Sequence, residues 1–326
     1  MYLQALFNIS ILLCFHEPMS DEFKEFSHLY LTSGISNNVR WLYYCTNKAL
    51  IDALNERGEL GFKLDINEYA DVDPSSFFDR FYGFGDRRSA QDSLYPDLPD
   101  EYKIKDLNRD DIKDALSSVD YRKLLQSPIG QKECQSSYAI TTMAALSAKY
   151  ALANEKNETL FSTQYFLNCG LHNTCTGGYE VEVIEQMRKY GLVNEVDLPY
   201  RGQVYTCKNS LPITRSDFYT NGFRYMGGDV EVIKHLISTY GPVMASMTPM
   251  SPYLLFYKDG IYDQECSSKE NNLLVLITGY GQEENGSDYW IVRNVLGSNW
   301  GQNGYIKIRA GKNLCDLERE NIYFFT

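Results

Sequence analysis

The stretch Gln131-Lys132-Glu133-Cys134-Gln135-Ser136-Ser137-Tyr138-Ala139 decides how this chain is read. Its last residues open a long helical pattern in which Ile140, Met143, Ala144, Ala148 and Ala151 share one face. The start of such a helix carries the positive end of the peptide dipoles, a setting that favours an ionised nucleophile. A cysteine there would have its thiol pKa lowered. Residue 137 is a serine, whose hydroxyl is a far weaker acid and needs a neighbouring base.

Around this stretch lie 326 residues, room for one large or two ordinary domains. An apolar content of 44% and a charged content of 23% are those of a soluble globular protein. The net charge of −12 argues against nucleic acid or an anionic membrane as partner. No apolar run approaches the roughly 18 residues of a membrane span. Residues 1–18 read as a signal peptide, with an apolar stretch of suitable length that Asn8 and Ser10 interrupt and no basic residue precedes. Eight cysteines without a C-x-x-C zinc spacing fit an oxidising, extracellular setting, and neither metal nor cofactor is expected. Cys14 falls in the leader, and the state of Cys45 is open. The other six cysteines, Cys134, Cys169, Cys175, Cys207, Cys266 and Cys315, allow many pairings among which sequence alone does not choose. Asn157-Glu158-Thr159 and Asn285-Gly286-Ser287 are candidate glycosylation sequons.

The chain divides at a charged segment, 85–117, that contains Pro96 and Pro99 and lacks apolar periodicity. Before it, residues 19–84 read as a helical block in which Arg40, Tyr44, Asn47, Ile51 and Asn55 line one face. After it, residues 118–326 begin with helical patterns at 137–151, 181–190 and 230–240. Runs at 242–247, 273–280, 289–295 and 305–309, bounded by Gly, Asn and Ser, read as strands. Helices first and strands second make an α+β order.

Several ordered motifs resemble the papain family of cysteine proteases. Cys134, Ser136 and Tyr138 fit the local pattern C-G-[SA]-C-[WY], while Gln135 and Ser137 depart from it. Cys175-Thr176-Gly177-Gly178, Asp288-Tyr289-Trp290-Ile291-Val292-Arg293-Asn294 and Trp300-Gly301-Gln302-Asn303-Gly304-Tyr305 match further family segments. In the N-terminal block, the spacing from Arg40 to Asn55 and the run Asp65-Ile66-Asn67-Glu68-Tyr69-Ala70-Asp71 resemble the two propeptide motifs, with Ser36 and Asp65 as departures. The resemblance covers residues 20–326. It implies a two-lobed fold, a helical lobe and a β-barrel lobe, preceded by an inhibitory propeptide-like domain. It also implies the pairs Cys134–Cys175, Cys169–Cys207 and Cys266–Cys315.

An active relative needs a cysteine nucleophile, a histidine that pairs with it, an asparagine that orients the imidazole and a glutamine at the oxyanion site. By resemblance these positions hold Ser137, Leu273, Asn294 and Gln131. By the same resemblance Gly177 and Gly178 would line the substrate cleft. Gln135 and Lys132 replace glycines there, and Leu296 replaces a tryptophan, which implies a narrowed cleft that is more apolar near the two leucines. The expectation is a secreted, monomeric, catalytically inactive homologue that binds a protein or peptide ligand. The alternative is a serine-type hydrolase using Ser137 with Lys132 as base. The strand at 289–294 resembles the mite group 1 allergen branch, and the double loss resembles the inactivated cysteine protease paralogues of the scabies mite. Removal of the N-terminal block is left open.

Overall fold

The computed structural model describes residues 14, 18–30, 35–74, 77, 116–155, 160–170, 175–208, 210–214, 222–225, 228–248, 251–266, 273–318 and 322–325. Most of the expected leader, most of the 85–117 linker and Asn157 lie outside them.

Two helices build the N-terminal block. Helix α1 (Asp21–Leu29) starts where the Ser20 hydroxyl accepts a hydrogen bond from the Phe23 N–H, with Asp21 and Glu22 favourably placed in the first turn. It buries Phe23 and Phe26 against Trp41 and Tyr44 of α2 (Asn37–Arg57), with ring centroids 5.4 Å apart for Phe23–Trp41 and 4.8 Å for Phe26–Tyr44. Helix α2 ends at Gly58, whose φ of 62° is the left-handed conformation glycine tolerates. Arg40, Asn47 and Asn55 of its periodic face each donate hydrogen bonds. Arg40 makes a buried ion pair with Asp71 at 2.6 Å and also donates to the Tyr30 carbonyl. The Asn47 amide donates to the carbonyls of Ala70 and Val72. Asn55 bonds both the N–H and the carbonyl of Leu64 in the short strand β1 (Phe62–Leu64). The sequence spacing is therefore a set of clamps that fold residues 62–72 back along the helix.

The C-terminal block is arranged around α3 (Ser137–Ala153), which is apolar on nearly every side and therefore buried along most of its length. Helix α4 (Thr163–Cys169), capped by Ser162, and helix α5 (Glu180–Tyr190) complete the helical lobe. Helix α6 (Val230–Tyr240), capped by Asp229, and the short α7 (Pro252–Leu255) lie between strands.

The remaining strands are β2 (Val119–Asp120), β3 (Gly222–Tyr225), β4 (Val243–Met247), β5 (Tyr257–Tyr262), β6 (Leu273–Gln282), β7 (Asp288–Arg293), β8 (Tyr305–Arg309) and β9 (Ile322–Phe325). Their order is β1-β5-β8-β7-β6-β4-β9-β3, with β2 also paired to β6. All pairings are antiparallel except β5 with β8. Strand β6 is buried from Leu273 to Gly281, which explains its continuous apolar run in place of an alternating one.

The α+β expectation holds. The expected strand at 289–295 stops at Arg293, because the Asn294 N–H leaves the ladder and donates to the Gly304 carbonyl at 3.0 Å. Strands β1 and β5 and helix α4 carry no sequence signal: they are short, and β5 has charged residues in its middle.

The structure pairs Cys134 with Cys175, Cys169 with Cys207 and Cys266 with Cys315. Cys45 is bonded to Cys14. A leader cut after residue 18 would carry Cys14 away, so this bond and that cut exclude each other in one mature chain. No helix of the described residues is long and apolar enough to cross a membrane.

Candidate active site

Ser137 is the first residue of α3 and is fully buried. Its Oγ accepts a hydrogen bond from the Leu274 backbone N–H at 3.4 Å. One turn on, the Thr141 hydroxyl donates to the Leu274 carbonyl at 2.8 Å. Helix α3 and strand β6 are thus stitched together through one backbone unit. Among the described residues no imidazole, amine or carboxylate shares a hydrogen bond with the Ser137 hydroxyl.

Leu273, the first residue of β6, and Leu296 are 2% and 3% exposed and belong to the same hydrophobic core. Filling this space with leucine avoids the cost of burying a polar pair. The two side chains complete the core and leave no apolar surface facing solvent.

Asn294 is 1% exposed. Its Oδ1 accepts from the N–H of its own neighbour Val295 at 2.8 Å, and its Nδ2 has no hydrogen-bond partner. A buried donor left unsatisfied costs about 1–3 kcal/mol. The amide sits beside a leucine-filled core as a polar group with half of its bonding capacity unused.

Gln131 is also buried, and its backbone is held on two sides. The N–H donates to the Val295 carbonyl at 2.8 Å, and the carbonyl accepts from the Tyr200 hydroxyl at 2.8 Å. The same hydroxyl lies 2.6 Å from Ser136 Oγ. Tyr200 therefore braces the approach to Ser137, a role with no counterpart in any motif of the sequence. Its N–H donates in turn to Glu195 Oε1 at 2.7 Å, while Glu195 Oε2 is buried without a partner. Burial pushes the Glu195 carboxyl up to about 7 against the opposing pull of backbone N–H groups.

The cleft residues separate by role. The Gln135 N–H donates to the Cys175 carbonyl at 2.9 Å, and Gln135 bridges Thr176 in parallel, which ties the loop before Ser137 to the glycine segment. Gly177 has a φ of 97°. At Gly178 a Cβ would lie 2.6 Å from the Tyr138 ring, so packing alone requires glycine there. Lys132 is exposed at a φ of 57°, and its stem lies over Gly202, where an added Cβ would come within 2.9 Å of the Lys132 Cδ. The structure directs this side chain along Gly202 and not to the Ser137 hydroxyl.

A family model described as papain family cysteine protease matches residues 115–325. The chain belongs to the papain family. A cathepsin L-like proteinase of Phaedon cochleariae is 30% identical over 277 residues, covering 82% of this chain and 80% of that protein. Pro-cathepsin H of Mus musculus is 29% identical over 301 residues, covering 89% and 85%. Among solved structures, digestive procathepsin L 3 of the Tenebrio molitor larval midgut superposes with a TM-score of 0.79 at 24% identity, covering 95% of this chain and 99% of that one. A structure from work on the mite allergens Blo t 1 and Der p 1 gives 0.78 at 21% identity, covering 93% and 98%. These likenesses show the papain-like fold, propeptide-like block included.

Proposed function

We propose that this papain-family chain is a secreted pseudoprotease that acts by binding a protein or peptide ligand. One observation carries the reading: the hydroxyl at the head of α3 is buried against a main-chain N–H, with no side-chain base among the described residues bonded to it. Leu273 offers no proton acceptor, and the Asn294 Oδ1, the atom that would accept an imidazole N–H, is bonded by the main-chain N–H of Val295. Removing a nucleophile–base unit costs about 10⁶ in turnover in a serine protease, leaving about 10³–10⁴ over water. Hydrolysis at that residual level has no biological weight. The exposed turn at Asn285 presents its sequon to solvent, which agrees with secretion. The double replacement at Ser137 and Leu273 resembles that of the inactivated cysteine protease paralogues of the scabies mite, which supports the reading. The alternative, Lys132 as base, loses support from a side chain laid over Gly202.

A covalent epoxide probe of cysteine proteases tests the reading. The wild-type chain, and each of the single variants Ser137→Cys and Leu273→His, is expected to remain unlabelled. The double variant is expected to label at residue 137, because Asn294 again has an imidazole to bond. Labelling of the wild-type chain at Ser137 would overturn the proposal.

A further inference from the structure

The N-terminal block is bound to the C-terminal block by three kinds of contact. The first is sheet pairing. Strand β1 pairs antiparallel with β5, Phe62 opposite Gly260, Lys63 opposite Asp259 and Leu64 opposite Tyr257, and the Asp65 N–H continues the ladder to the Phe256 carbonyl at 2.9 Å. Gly260 makes this possible, since a Cβ there would stand 2.7 Å from the Phe62 Cα. The second is side-chain donation to backbone. Asn67 Nδ2 donates to the Leu255 carbonyl and the Tyr69 hydroxyl to the Leu296 carbonyl, each at 2.8 Å. The third is aromatic packing. Phe62 is 4% exposed and lies with ring centroids 6.4, 6.2 and 5.0 Å from Tyr253, Tyr257 and Tyr262.

Loss of the block would leave β5 as a bare sheet edge, the liability natural sheets avoid by covering it. It would also take the Asn67 donor from the Leu255 carbonyl, leaving it only the Trp300 indole N–H, remove the donors bonded to the carbonyls of Phe256 and Leu296, and uncover Tyr257 and Tyr262. The block arrives preformed, because Arg40, Asn47 and Asn55 already fix residues 62–72 against α2. Little further ordering entropy opposes docking.

We propose that the N-terminal block is a permanent domain of the working protein, remaining docked even when the connecting chain is cut. The inference rests on the reading of an inert site, which removes self-cleavage as a route of maturation. Its occupant is the chain's own residues 62–72, and its consequence is that ligands meet an outer surface composed of both blocks.

The test uses the full chain, with a recognition site for a sequence-specific protease introduced within residues 85–99. After the cut, size-exclusion chromatography without denaturant is expected to show both fragments co-eluting at the mass of the whole, separating only when denaturant is added. An N-terminal fragment that elutes alone overturns the proposal. In the cut protein Tyr69→Phe keeps the ring and loses one hydrogen bond, so dissociation should become roughly ten-fold more favourable. An unchanged dissociation constant overturns the docking role assigned to that bond. Peptide hydrolysis measured on the same cut sample separates the two ideas. Turnover after the cut sinks the inert-site reading, whereas fragment release without turnover sinks only the permanent domain.

Discussion

At the scale of single residues, the departures around Ser137 differ in what they cost. Leu273 and Leu296 join the core, but Asn294 keeps a buried Nδ2 without a partner and Lys132 keeps a left-handed backbone that disfavours any side chain. The left-handed conformation costs a non-glycine residue about 1–2 kcal/mol, against which glycine loses roughly 0.5–1 kcal/mol of unfolded-chain freedom. Lys132→Gly is therefore expected to raise stability by up to about 1 kcal/mol, measured as an increase in the urea midpoint at constant slope. A decrease would mean that the Lys132 stem over Gly202 contributes more than its backbone costs. The serine and the leucine were legible from the sequence because each is a change of chemical type inside a motif. The orphaned Nδ2 was not legible, because it depends on which groups the fold brings within reach of Asn294. The brace formed by Tyr200 was hidden for the same reason: Tyr200 is 69 residues from the Gln131 carbonyl it bonds.

At the scale of elements, helices α2 and α3 and strands β6 and β8 were readable because each carries a sustained apolar or polar period. Strands β1 and β5 were not, since their stability comes from pairing with each other and from Asn55 and Phe62, not from local pattern. The segment from Glu195 to Tyr200 makes a pH-dependent prediction. Burial raises the Glu195 carboxyl to about 7 from an ordinary value of 4.5, so the folded state holds a proton that the unfolded state releases between those values. The associated stability is fully present below about pH 4.5 and is lost as pH rises through 7. At about 1.4 kcal/mol per pKa unit the shift would be worth roughly 3 kcal/mol, and partial exposure reduces this to about 1–2 kcal/mol. Glu195→Gln retains an acceptor for the Tyr200 N–H and cannot ionise. It is expected to stabilise the protein by that amount at pH 8 and to make no difference at pH 4. A thermal-melting difference equal at both pH values would exclude the linkage.

At the scale of the whole molecule, the N-terminal clamps, the β1–β5 pairing and the α3–β6 stitching make one continuous core that runs from Phe23 to Leu317. The papain scaffold is kept, while among the described residues the hydroxyl at the head of α3 is bonded by a main-chain N–H and by no side-chain base. The most direct measurement compares peptide hydrolysis by the cut wild-type protein and by its Ser137→Ala variant, across a peptide library at pH 5 and pH 8. Identical rates, both at the level of buffer, are the outcome this account predicts. Turnover by the wild-type protein that vanishes in Ser137→Ala would contradict it.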